Sequence, residues 1–156
     1  LNVGSFETSI IYAVSVVGGV IGTVLFGRLA NRLGNLRTAA LITGSSSLLI
    51  LLLRSYSLFN LLIIPHLFII GATSFGGSSL LQAHLVSVTT QSERDIVIGL
   101  YFTIGFGCSS IWTTLTGLVI DTYGSFNPAW LLRAALGTVA FTLMILAMIG
   151  SQKQKQ

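Results

Sequence analysis

His66, Thr73, Gly77 and His84 offer the clearest prospect of chemistry in this chain. At 100° per residue they fall within about 20° of one line along a helix. Ile69, Phe75 and Leu81, on other faces, are apolar. An imidazole titrates near pH ~6.5 in water and can take a proton or an anionic group; a threonine hydroxyl both donates and accepts. The plainer reading puts both histidines at membrane interfaces and lets Thr73 bond its own backbone carbonyl one turn back. Two cations are further candidates. Arg94 lies in Glu93-Arg94-Asp95, most simply a solvated loop, and Arg133 most simply snorkels or pairs with Asp121. Gln82 satisfies its amide at an interface. No nucleophile–base–acid set, metal-ligand spacing or phosphate-cradling loop occurs in the sequence, so neither an enzyme nor a metal or cofactor is expected. Cys108 has no second cysteine to pair with.

The elements that must position these residues are membrane spans. Only 8% of the 156 residues are charged and 53% are hydrophobic, with a mean hydropathy of +0.88. A soluble domain carries about a quarter charged residues. Stretches 8–27, 38–53, 55–92, 96–120 and 134–152 hold no Asp, Glu, Lys or Arg. A spanning helix needs roughly 20 apolar residues; 38–53 is short, but Arg37 and Arg54 can snorkel to the two interfaces. The expected fold is all-α, a polytopic membrane bundle with helices at about 7–27, 38–54, 59–86, 96–119 and 128–150. Ser5 and Glu7 suit the start of the first helix, and Asn127-Pro128 suits the start of the last. Gly76-Gly77 could break the third, although its second piece would be too short and polar to span. The net charge of +4 sits at the ends of apolar segments, so no nucleic-acid partner is expected.

Lys and Arg gather on the cytoplasmic side of membrane proteins. With the N-terminus outside, Arg28, Arg32, Arg37, Arg94, Lys153 and Lys155 fall inside, against Arg54 and Arg133 outside. The expected orientation is N-terminus out and C-terminus cytoplasmic, as an integral protein of the cell membrane.

A repeat lies beneath the topology. Ser15, Gly19, Thr23 and Gly27 recur at an offset of 90 as Gly105, Ser109, Thr113 and Gly117, and Asn31 and Gly34 recur as Asp121 and Gly124. Small residues at every fourth position make a stripe that lets another helix approach closely. The two copies would run in opposite directions through the membrane, as inverted repeats of secondary transporters do. The third helix would then need a mirror partner upstream of Leu1.

Residues 27–37, GRLANRLGNLR, resemble the loop motif of the major facilitator superfamily, roughly G-x-x-x-D-R-x-G-R-R, in its second-half copy. Gly27, Arg32, Gly34 and Arg37 fit that pattern. Asn31 stands in place of the aspartate, keeping an acceptor oxygen without the charge, and Asn35 and Leu36 replace basic positions. QSERDIVIGLYFTIGFG resembles the family's inner loop and eleventh helix, and GLVIDTYGSF its exit. The resemblance covers nearly the whole chain as helices eight to twelve, a partial six-helix half. It implies a fragment of a secondary transporter that moves a small solute by alternating access, with an N-terminal half as partner and a possible coupling ion. It also implies a gating role for Arg94 and a cavity-lining tenth helix carrying His66, Thr73, Gly77 and His84. The alternatives are a five-helix accessory subunit without transport activity and a membrane-embedded enzyme whose catalytic part lies elsewhere, the latter requiring a polar catalytic cluster that this sequence does not show. In intact cells, a membrane-impermeant thiol reagent is expected to label a cysteine placed at Ser57 and to spare one placed at Asn35; the reverse pattern overturns the orientation.

Overall fold

In a computed structural model that describes residues 5–55 and 62–153, the chain is all-helical, with no strand among those residues. The helices are α1 (Ser5–Leu33), α2 (Asn35–Leu52), α3 (Ile63–Val88), α4 (Arg94–Tyr123) and α5 (Asn127–Lys153), with a 3-10 turn at Leu53–Ser55. All five are long and apolar enough to cross a membrane. Residues 59–61, expected to open the third helix, lie outside the described residues, as do the side chains of Ser5, Glu7, Arg54 and Lys153. α3 runs unbroken through Gly76-Gly77.

The first and second helices are separated by one residue instead of the expected ten-residue loop. Leu, Arg and Ala are good helix formers, so α1 continues through the arginines to Leu33. Gly34 then turns the chain at φ 89° and ψ 150°, a region that only glycine occupies without strain. Its amide donates to the Ala30 carbonyl at 2.8 Å, and its own carbonyl accepts from the Thr38 amide at 3.1 Å and the Thr38 hydroxyl at 2.9 Å. Among the described residues only Gly34 and Gly124 have positive φ. These are the exit glycines paired by the 90-residue offset. At the far end Ser125 accepts from the Asn127 amide at 3.2 Å, so α5 begins one residue before Pro128.

Close backbone approach holds α1 to α3. A Cβ added to Gly18 would collide with the Phe68 carbonyl, and one added to Gly71 with the Ser15 carbonyl; at Gly22 it would lie 2.5 Å from the Ala72 Cα. The pairs 18–68 and 22–72 advance together, so the two helices run parallel. On the neighbouring face, Gly44 meets Phe141 and Gly137 meets Ser47, which sets α2 and α5 antiparallel. The buried apolar residues are mostly small: Ala30, Ala39, Ala40, Ala72, Ala129 and Ala134, with Ile42, Ile50 and Leu80. Large aliphatic side chains such as Val24, Leu48, Leu118 and Leu143 point outward. This is the arrangement of a bundle whose outer surface meets lipid and whose helices associate by packing of small residues. α4 has no buried residue and touches its neighbours least.

Gly22→Leu places a side chain against α3 backbone that cannot yield, whereas Gly27 has nothing within 4 Å of an added Cβ. Thermal unfolding in detergent should show Gly22→Leu destabilised by about 1–3 kcal/mol and Gly27→Leu close to wild type.

Candidate functional site: a hydroxyl-lined cavity between four helices

A hollow with a hydroxyl-rich wall lies where α2, α3, α4 and α5 meet, with a volume of about 380 Å³. Its wall carries hydroxyls from Thr43, Ser46 and Ser47 on α2 and from Thr73, Ser74 and Ser78 on α3. Tyr101 and Trp112 from α4 and Arg133 from α5 complete the polar lining. Tyr101 spans the gap to α3: its hydroxyl lies 3.2 Å from the Ser78 hydroxyl and donates to the Ser78 carbonyl at 3.4 Å.

The expected line on α3 is divided by its neighbours. Thr73 and Gly77 do reach the cavity, with Gly77 facing Thr43. His66 does not. It is 9% exposed, and its Nε2 lies 2.8 Å from the Leu49 carbonyl. A carbonyl only accepts, so Nε2 carries the hydrogen in this contact and ties α3 to α2. His84 is half-buried off the cavity, and its carbonyl accepts from Ser87 at 2.7 Å. From His66 to Gly77 the line faces α2, because α3 turns its other small face, Gly71, Ala72 and Gly76, toward α1.

Thr73, 6% exposed, donates to the carbonyls of Ile69 and Ile70, both at 3.0 Å. Ser47 does likewise to Thr43 at 3.0 Å. Hydroxyls whose donors are satisfied in this way can still accept through their oxygens. The cavity therefore presents acceptors as well as the guanidinium of Arg133, which has no ion pair or hydrogen bond among the described residues, Asp121 included.

The remaining candidates lie elsewhere. Asn31, Arg32, Gly34 and Arg37 are exposed at the α1–α2 turn, and Gly27 is half-buried beside them. Arg94 opens α4, half-buried, with its Nε buried and unpartnered among the described residues, while Glu93 accepts from the Thr90 hydroxyl at 2.7 Å. Ser15 and Gly19 sit against α3, with Gly19 under Phe75. Thr23 bonds the Gly19 carbonyl at 2.9 Å. Gly105, Ser109, Thr113 and Gly117 are exposed on α4. Reading the α3 line alone missed the cavity's opposite wall. Its signal was the run Ser45-Ser46-Ser47 inside an apolar segment. Neither family models, curated proteins nor solved structures match this chain.

His66→Ala removes a link between helices, while the Leu49 carbonyl keeps the Leu53 amide, so it should lower stability by about 0.5–1.5 kcal/mol, the net worth of one hydrogen bond. Thr73→Val replaces a hydroxyl bonded only to its own helix and should cost under about 0.5 kcal/mol. Denaturation of both variants in one detergent checks the contrast.

Proposed function

We propose that this chain is part of a secondary active transporter of the major facilitator type, forming most of one half of it. In this reading the N-terminal half is its partner and the solute is small and polar. The observation that carries the reading is the hydroxyl-lined cavity of about 380 Å³ between helices that turn many large apolar side chains outward. Polar groups inside a membrane bundle are costly and accumulate along solute paths. Three features support it further: the 90-residue repeat with its paired exit glycines, the cluster Arg28, Arg32, Arg37 and Arg94 at one end of the helices, and the loop motif.

In this proposal the N-terminus faces outside and the C-terminus faces the cytoplasm of the cell membrane. The α4 stripe of Gly105, Ser109, Thr113 and Gly117 packs on the other half. Arg94 takes part in contacts that open and close the inner side. Alternating access needs two halves rocking around a central site, so the work divides between this chain and its partner. The glycine contacts of α1 with α3 would keep this half rigid while it rocks.

The test is reconstitution. Liposomes containing the 156-residue chain alone should show no solute uptake from a panel of small polar solutes. Liposomes containing it together with the upstream half should accumulate at least one of them. In that full assembly Thr73→Val should lower uptake, with His66→Ala acting through reduced amounts of folded protein. Uptake by the chain alone counts against the need for a second half, and an assembly inert to the whole panel counts against transport and favours the accessory-subunit reading.

A further inference from the structure

The hydroxyl-lined cavity does not end at Arg133. A second hollow of about 440 Å³ continues from it between α4 and α5, and Trp112, Arg133 and Leu136 line both. Its other walls are Ile111, Leu115, Cys108 and Ser109, mostly apolar. The two hollows together have the shape of an amphiphile, with a polar compartment and an apolar trough meeting at one cation.

Depth indicates which amphiphile. Arg133 lies six residues past Asn127, the first residue of α5, about 9 Å along the axis. A bilayer is about 40–45 Å thick around a hydrocarbon core of about 30 Å. A helix beginning at the water surface therefore carries Arg133 to the boundary between headgroups and acyl chains, where the phosphates of lipids sit. The guanidinium is unpaired among the described residues and offers a planar fork of donors.

We propose that the α4–α5 trough binds an acidic phospholipid, with its phosphate on Arg133, its headgroup hydroxyls against the serines and threonines of the cavity, and one acyl chain along Ile111 and Leu115. The assignment does not rest on the transport reading, in which headgroup and solute would compete for the same hydroxyl wall. The lipid fills the space between α5 and α4, the helix with the fewest contacts of its own.

The experiment equilibrates the purified chain with mixed micelles of phosphatidylglycerol and phosphatidylcholine carrying the same acyl chains, and counts retained lipid by native mass spectrometry. Phosphatidylglycerol is expected to be favoured by about fivefold, the ratio that one basic group near the membrane surface sets. Arg133→Gln should bring the ratio to about one, and Arg133→Lys should keep most of it. Arg37→Gln, at a separate apolar groove between α2 and α5, should leave it unchanged. Leu115→Trp keeps the cation and fills the trough, and should lower retention even if Arg133→Gln fails to fold. The site is overturned if Arg133→Gln keeps the preference, if Arg37→Gln abolishes it, or if Leu115→Trp changes nothing. Displacement of the lipid by inorganic phosphate alone also overturns it, because the ligand would then be a soluble anion.

Discussion

The contact on which the rest of this bundle depends is the approach of the α1 and α3 backbones through Gly18, Gly22 and Gly71. In lipid, apolar side chains gain little by turning inward, since acyl chains are as apolar as leucine. Helices associate where their surfaces fit closely enough to gather dispersion contacts. Glycine supplies that fit at the cost of side-chain area. The pairing fixes the rotation of α3 about its own axis, and with it everything α3 presents elsewhere. With Gly71, Ala72 and Gly76 turned to α1, the face bearing His66, Thr73 and Gly77 must meet α2.

That rotation explains what the sequence revealed and what it withheld. Five charge-free stretches predict five helices, and five form, because length and hydropathy are properties of each segment alone. Their ends were less legible. α1 runs six residues past Gly27 because helix-forming arginines and leucines can leave the membrane without leaving the helix. Angular alignment groups His66, Thr73, Gly77 and His84 along one line of an unbroken helix, but alignment cannot say which neighbour that line meets. The neighbour is chosen by glycines on the opposite side of the same helix. Thr73 and Gly77 reach the cavity because α2 opposes them with Thr43 and the Ser46-Ser47 pair, whereas Leu49 offers His66 only a carbonyl.

The exit glycines form a second constraint of the same kind. Gly34 and Gly124 match in the repeat, and both turn the chain through positive φ, yet their ψ values of 150° and 20° differ. Gly34 is the single residue between two helices, and three hydrogen bonds from neighbouring turns brace it. Gly124 ends α4 in the left-handed conformation and is followed by a short connection to Asn127. Similar sequence positions thus serve a tight elbow in one place and a looser one in the other. The packing follows suit: α1 and α2 share a buried core with Ala30, Ala39 and Ile42, while α4 contributes no buried residue.

The hydroxyls of the spans have a bearing on how such a chain is made. Ser47, Thr73, Thr113, Thr116, Thr138 and Thr142 each donate to a carbonyl three or four residues back within the same helix. Such a donor needs no partner from another segment. A nascent helix can therefore leave the translocation machinery for the bilayer one at a time, with its hydroxyl hydrogens already engaged. His66 is different, because its carbonyl partner belongs to α2. The helix carrying it gains from entering lipid beside a segment synthesised earlier. Order of synthesis, with α2 preceding α3, supplies that neighbour in time.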